Sequence, residues 1–220
     1  MKHVFQLAAL AVLVLGAAKA SAQTAVFDFE DLTDQGFGTG FGNDASMNFP
    51  IVFIAGSNRM QVTRTGAFQE AAVGHGADFT PFYNTMLAAS ANEAGATISY
   101  DWYVDTSITP GGTFLQGGTY VNTGNGYYAQ DFGAVKEFEL GGTQLNTPGV
   151  YSGHVSINMA AVGFDMPLGQ TFFRLGFILN GSGPTNVYFD NITVTATPEP
   201  ATLSLLGLAL PALALRRRRA

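Results

Sequence analysis

Four tyrosines and two carboxylates in the middle of the sequence have the chemistry to hold a sugar. Pyranose rings stack their C–H faces on flat aromatic side chains, while carboxylates and amides orient the hydroxyls. The residues concerned are Tyr103, Tyr120, Tyr127, Tyr128, Asp101 and Asp105. Their pattern predicts a glycan-binding surface. The alternative is that they are ordinary strand and loop residues of a β protein, in which tyrosine is common.

One pair of glutamates has a spacing compatible with catalysis. Glu137 and Glu139 are two residues apart, so a strand would place them on one face, as glycoside hydrolysis requires of two carboxylates. The alternative is a solvated strand face that alternates with apolar residues. His75 and His154, the two histidines beyond the first 22 residues, form no recognisable zinc site or nucleophile–base pair. We therefore assign no catalytic residue and expect no enzyme activity.

The residues around Tyr103 alternate with the period of a β-strand. Ile98, Trp102 and Val104 fall on one side, which predicts core packing for the tryptophan, and Tyr103 falls on the other side. Residues 171–180 repeat this alternation, and residues 187–195 predict a last strand. Further strands are predicted at 26–29, 51–55, 60–63, 113–115, 134–140 and 153–158.

Clusters of glycine and asparagine separate these segments, as turns require. Only residues 84–94 are predicted to form a helical turn or two, and no internal repeat indicates a solenoid or propeller. The sequence therefore predicts an all-β fold, an antiparallel β-sandwich of the jelly-roll type.

The charge of the central domain excludes one class of partner. Between residues 23 and 197 there are 4 basic residues and 15 carboxylates, giving a formal charge of 4 minus 15, or −11. Such a surface repels phosphate backbones, so nucleic acid is excluded as a partner, whereas cations and neutral glycans are compatible. The chain has no cysteine, so disulfides contribute nothing to its stability.

Residues 1–22 have the features of a signal peptide. Lys2 precedes an apolar stretch over residues 4–18, and Ala20-Ser21-Ala22 provides the small residues that signal peptidase needs. Cleavage is predicted before Gln23. An uncleaved N-terminal anchor is the alternative.

Residues 198–220 combine three features in a fixed order. Pro198, Glu199 and Pro200 precede an uncharged run over residues 201–215. As a helix this run would be about 22 Å long, shorter than a hydrocarbon core of about 30 Å. A basic cluster follows and would stay on the cytoplasmic side of the membrane. It consists of Arg216, Arg217, Arg218 and Arg219.

This tail resembles the PEP-CTERM sorting signal of Gram-negative bacteria. The resemblance implies recognition and cleavage by an exosortase-like enzyme, after transient association with the inner membrane through the C-terminal helix. It also implies export linked to exopolysaccharide and a final place at the cell surface or outside the cell. An ordinary tail anchor is the alternative.

A second resemblance concerns residues 23–197. The segments 27–31, 99–104 and 187–194 resemble those of galactose-binding-like, carbohydrate-binding-module jelly rolls. Such domains often hold a structural calcium between the N-terminal loop and the final strand. The resemblance therefore implies a calcium site formed by Glu30, Asp31 and Asp190, whose oxygens are the ligands that calcium prefers. The alternative is that Glu30 and Asp31 are solvated turn residues and that Asp190 bonds backbone amides at a bulge.

Two functions follow from these features. The first is a non-enzymatic exported surface or matrix protein whose sandwich binds extracellular polysaccharide. The alternative is a secreted glycan-active hydrolase that uses a carboxylate pair such as Glu137 and Glu139.

Overall fold

The computed structural model describes residues 22–37, 49–64, 68–75, 80–107, 112–123, 126–129, 137–164 and 168–197. Residues 1–21 of the predicted signal peptide (residues 1–22) and all of the predicted sorting signal (residues 198–220) lie outside these ranges. The strands described are β1 (Gln23–Phe27), β2 (Ile51–Ile54), β3 (Ser57–Arg64), β4 (Phe68–His75), β5 (Ala96–Asp105), β6 (Phe114–Thr123), β7 (Gly126–Ala129), β8 (Phe138–Gly141), β9 (Val150–Asn158), β10 (Phe173–Gly181) and β11 (Thr185–Ala196). The helices described are α1 (Thr80–Ala91), α2 (Gly142–Leu145) and two 3-10 turns, Glu93–Gly95 and Ala160–Val162.

The strands form two antiparallel sheets. Sheet A has the order β2-β3-β11-β5-β9, and β1 pairs with β11 beside β3. Sheet B has the order β4-β10-β6-β7, and β8 also pairs with β6. The predicted antiparallel β-sandwich is therefore confirmed.

The core lies between the two sheets and follows from strand alternation. Phe177 of β10 is 1% exposed and stacks on Phe189 of β11, with ring centroids 4.8 Å apart. Tyr100 of β5 meets the edge of Phe177 at 4.7 Å, and Phe37 covers another side at 6.1 Å. Aromatic rings from three strands and the first loop therefore tie sheet A to sheet B.

The last strand organises sheet A. The first half of β11 pairs with β3 and the second half with β1, while β5 runs along its other side. The β5–β11 register shifts between Asp190 and Thr193, and Asn191 takes a positive φ of 51°. Asparagine tolerates this left-handed conformation better than most residues. The resulting bulge turns Asn191 to the outer face, next to Asp101.

Two glycines accommodate large rings at one side of the sandwich. Trp102 of β5 stacks on Phe138 of β8 with a centroid distance of 4.5 Å, which confirms that the tryptophan packs inward. A Cβ at Gly117 would lie 2.0 Å from the Phe138 ring, and one at Gly153 would lie 2.8 Å from Trp102 Nε1. These positions therefore need glycine for close approach, not for turn formation.

Some elements differ from the sequence prediction. The strand predicted at residues 113–115 is longer in the structure, where β6 runs through Gly117 and Gly118, and the absent side chain of Gly117 makes room for the Phe138 ring. β4, which ends at residues 74 and 75, was not predicted, and α1 begins at Thr80, four residues before the predicted start. Within the described ranges, no helix combines the length and apolar character needed to cross a membrane.

Candidate functional site

A chain of hydrogen bonds crosses the outer face of sheet A. His154 Nδ1 on β9 lies 2.7 Å from Asp101 Oδ1 on β5, and Asp101 Oδ2 accepts from Asn191 Nδ2 on β11 at 2.9 Å. Asp190 Oδ1 accepts from the Asn191 backbone N–H at 2.8 Å, and Asp190 Oδ2 accepts from Ser57 Oγ at 2.6 Å. We call these five residues the polar track. It fixes polar side chains across four neighbouring strands.

A row of larger side chains runs beside the polar track. Tyr103 on β5 pairs with Ser152 on β9 and with Tyr188 on β11, and Tyr188 pairs with Gln61 on β3. We call these four residues the tyrosine row. Paired residues of antiparallel strands share a face, and neighbouring strands are about 4.8 Å apart. The outer face of sheet A therefore presents two parallel lines of hydrogen-bonding groups.

The two tyrosines are more buried than their position on this face predicts. Tyr103 is 6% exposed and Tyr188 is 3% exposed, and their rings meet edge to face at 5.9 Å. The Arg59 guanidinium lies 4.9 Å from the centre of the Tyr103 ring. Burial raises the pKa of Tyr188, and the nearby Asp105 carboxylate adds to this effect. Because Arg59 lies over the ring, Tyr103 has little free surface for stacking, and hydrogen bonding dominates the chemistry of this face.

The two predicted carboxylates of this face differ in their partners. Both oxygens of Asp101 accept hydrogen bonds within the polar track. Asp105 Oδ1 instead accepts from the backbone N–H and the hydroxyl of Ser107, at 2.9 and 2.5 Å, so it closes its own turn. The structure thus brings Asp101 and Tyr103 together on one face, with Asp105 at the end of the same strand.

Tyr120 lies on the opposite side of the molecule, in sheet B. It is 1% exposed, and its ring lies over Gly176 and 5.7 Å from the Arg174 guanidinium. The backbones of Tyr127 and Tyr128 pair with Asn122 and Val121 of β6, while their side chains lie outside what the structure describes. The predicted tyrosines are therefore divided between two sheets and do not form one surface.

Two of the three predicted calcium ligands meet at a single hydroxyl. Ser57 Oγ lies 2.6 Å from Asp190 Oδ2 and 3.2 Å from Glu30 Oε1. Glu30 Oε2 also accepts from Asn58 Nδ2 at 2.8 Å. Asp31 takes no part in this contact, because its carboxylate accepts from the backbone N–H and hydroxyl of Thr33, and the backbone bond lowers its pKa. The first loop is thus joined to the last strand through Ser57.

This arrangement does not fit a calcium ion as it stands. Calcium takes six to eight oxygen ligands, whereas Asp190 and Glu30 here accept hydrogen bonds from N–H and O–H donors. Arg59 Nε lies 3.7 Å from Asp190 Oδ2 and supplies positive charge. Within the described ranges, no three acidic or histidine side chains are grouped as a metal site. The connection that the resemblance assigns to calcium is made here by protein groups.

The two glutamates of the catalytic alternative have separate environments. Glu139 is exposed on β8 and accepts from Gln116 Nε2 at 3.2 Å, as expected of a solvated strand face. Glu137 precedes β8, and its Oε2 accepts from the Thr119 backbone N–H at 3.1 Å. Burial raises the pKa of Glu137 to about 7. Their hydrogen bonds therefore provide no shared site for a scissile bond.

Comparison with known proteins adds information about the fold. No protein-family model matches the sequence, and no curated protein matches it significantly. Among solved structures, the chain is similar to CBM28, a carbohydrate-binding module specific for non-crystalline cellulose. The TM-score is 0.51 and the sequence identity 16%, and the match covers 75% of this chain and 89% of that chain.

Two other similar structures are the CBM22-1 xylan-binding domain of Paenibacillus barcinonensis Xyn10C and the mannan-recognising module TmCBM27. The first has a TM-score of 0.46 and 11% identity and covers 82% of this chain and 100% of its own. The second has a TM-score of 0.43 and 15% identity and covers 80% of this chain and 99% of its own. At such identities the likeness to CBM28 shows a shared β-sandwich fold and does not show a shared ligand.

Sequence reasoning missed several residues of the outer face of sheet A. The sequence assigned no role on this face to Arg59, Gln61 and His154. Tyr188 entered only as part of the segment 187–194, which resembles carbohydrate-binding-module jelly rolls. The alternation within each strand could have placed them outward. Their association depends on strand order, which brings β3 and β11 together although more than 100 residues separate them.

Proposed function

We propose that this chain is a non-enzymatic, exported protein of the cell surface or extracellular matrix, and that its sandwich binds polysaccharide on the outer face of sheet A. The observation that carries the proposal is the pair of parallel polar lines on that face, the polar track and the tyrosine row. Hydroxyl, amide, imidazole and carboxylate groups are the partners that sugar hydroxyls need. The shared fold with a carbohydrate-binding module supports this proposal.

A single glutamine tests which face binds. Gln61→Ala should weaken retention on immobilised exopolysaccharide about fivefold, because one hydrogen bond contributes about 1 kcal/mol. Affinity electrophoresis with the purified chain gives the measurement. Gln116→Ala on sheet B is the matched control, since each glutamine donates its side-chain N–H to one neighbour, Thr63 or Glu139.

The opposite result would place the polysaccharide-binding site on sheet B. If Gln116→Ala weakened retention and Gln61→Ala did not, the outer face of sheet A would be excluded. Loss of retention in Tyr127→Ala or Tyr128→Ala would also favour sheet B, where both tyrosines belong. Release of reducing sugar that is abolished by Glu137→Gln would instead support the hydrolase alternative.

The proposed route of export rests on the two ends of the sequence. Signal peptidase would remove residues 1–22, and an exosortase-like enzyme would act at the tail that begins with Pro198. Replacing Pro198, Glu199 and Pro200 by alanines should leave the tail uncleaved, so the secreted form should be lost and a full-length membrane-associated form should accumulate. Mass spectrometry of the C-terminal peptide measures this, with Pro211→Ala as a control inside the apolar run. If the triple variant had the same processed C-terminus as the wild type, the sorting proposal would be wrong.

A further inference from the structure

A cleft opens at the side of the sandwich where both sheets end. Its volume is about 440 Å³, within the range of small-molecule sites, which is about 300 to 1,000 Å³. It lies between β9, the last strand of sheet A, and the residue that precedes β8 of sheet B. The residues that line it include Glu137, His154, Ser156, Ala161 and Val162.

Glu137 is the unusual group in this cleft. Its Oε2 accepts from the Thr119 N–H, but its Oε1 is buried and has no hydrogen-bond partner in the part of the chain that the structure describes. Burying an ionised carboxylate without a partner is costly, which explains why burial raises the pKa of Glu137 to about 7. A donor brought by a ligand would remove this cost.

Among the described residues, the groups around Glu137 do not neutralise it. The Tyr100 hydroxyl of β5 lies near enough that the Glu137 charge contributes to its raised pKa, but it is neutral. His154 of β9 lines the cleft, with Nδ1 held by Asp101. Thr119 of β6 contributes only a backbone N–H, and Glu139 of β8 bonds Gln116. No lysine or arginine is among the described lining residues; Asp131 and Lys136 lie outside the described ranges.

We propose that this cleft binds the protonated amine of an amino-sugar unit, with the ammonium group on the Glu137 carboxylate. The proposal rests on the proposed function and names the class of ligand, a polysaccharide with free amino groups. Ser156 and His154 on the rim offer a hydroxyl and an imidazole to the sugar hydroxyls, and Ala161 and Val162 supply an apolar wall. An N-acetylated sugar of the same shape lacks the positive charge, so it cannot replace the amine.

Binding of an amine must displace a proton. A protonated amine prefers the ionised form of Glu137, whereas the free protein holds that carboxyl largely protonated below neutral pH. At pH 6, below a pKa of about 7, most molecules carry the proton. Binding of the amine at pH 6 should therefore release protons, while binding of a neutral sugar should release none.

Titration calorimetry with the purified full chain tests the proposal. Glucosamine and N-acetylglucosamine are compared at pH 6 in two buffers that differ in ionisation enthalpy, which gives the number of protons released. We expect glucosamine to bind at least tenfold more tightly than N-acetylglucosamine and to release protons on binding. Glu137→Gln should abolish both differences, and Glu139→Gln, the matched control two residues away, should leave both unchanged.

A stability measurement shows whether Glu137→Gln is folded. The folded-state pKa of Glu137 lies above the ordinary 4.5, so the folded state holds the proton longer, and the stability of the wild type should fall as the pH rises from about 4.5 to about 7. This slope should be reduced in Glu137→Gln, which should melt in one cooperative step.

The outcomes separate this inference from the proposed function. Equal binding of the two sugars, or a preference that survives Glu137→Gln, would overturn the amine site even if polysaccharide is retained and Gln61→Ala weakens retention. Absence of retention on any polysaccharide would instead overturn the proposed function. A Glu137-dependent preference for glucosamine in that case would still establish the cleft as an amine site.

Discussion

Phe177→Ala should destabilise the domain by about 3 to 5 kcal/mol, the usual cost of truncating a buried phenylalanine. The Phe177 ring is 1% exposed and contacts Phe189, Tyr100 and Phe37, so its loss leaves a cavity between the two sheets. Because small domains are stable by only about 5 to 15 kcal/mol, this is a large fraction of the total. Urea denaturation followed by tryptophan fluorescence gives the difference.

An exposed phenylalanine provides the matched control. Phe53 of β2 is 71% exposed, so Phe53→Ala should change the free energy of unfolding by about 0.5 kcal/mol or less. Equal effects of the two substitutions would mean that the aromatic contacts between the sheets do not stabilise the fold.

Asp190→Ala should destabilise the domain by about 2 to 4 kcal/mol. The carboxylate is 3% exposed and accepts from Ser57 and from the Asn191 backbone, and Arg59 faces it at 3.7 Å. Removing one partner of a buried pair costs about 3 to 5 kcal/mol, because the remaining charge is uncompensated. Arg59 keeps some contact with water at 16% exposure, which reduces the expected cost. Thermal and urea melting measure it.

Asp31→Ala is the control that separates this contact from a calcium site. Asp31 belongs to the predicted calcium set but lies in an exposed turn, where its carboxylate accepts hydrogen bonds from Thr33 and Gln35. If protein groups alone join the first loop to the last strand, Asp190→Ala should lower the melting temperature, Asp31→Ala should have a small effect, and a chelator should have none. A chelator-sensitive melting temperature, lost in both variants, would establish the calcium site and contradict a link made by protein groups alone.

Alternation within a strand predicted much of the core. Phe173, Leu175 and Phe177 face inward as expected, because the period of a strand depends only on local sequence. The long β6 was missed because Gly117 and Gly118 indicate a turn when read locally. Gly117 instead makes room for the Phe138 ring, which belongs to another strand and lies 21 residues away in sequence.

The candidate site could be predicted only in part. Tyr103 and Asp101 were predicted on the correct face because they are two positions apart in one strand, and such residues point to the same side. The polar track could not be found, because its contacts join residues 53, 90 and 133 positions apart. The burial of Tyr103 under Arg59 was missed for the same reason. Local patterns assign faces, whereas the register between distant strands decides which side chains meet.

The position of β11 has a mechanical consequence. A force applied along the chain at the C-terminal end of this strand would pull along the axis of β11. β11 is hydrogen-bonded on both sides, to β5 on one and to β3 and β1 on the other. Under tension along the strand, these ladders would bear force in shear, so many hydrogen bonds would have to break together. The sandwich should therefore resist tension applied at the end of β11 better than one whose last strand lies at a sheet edge.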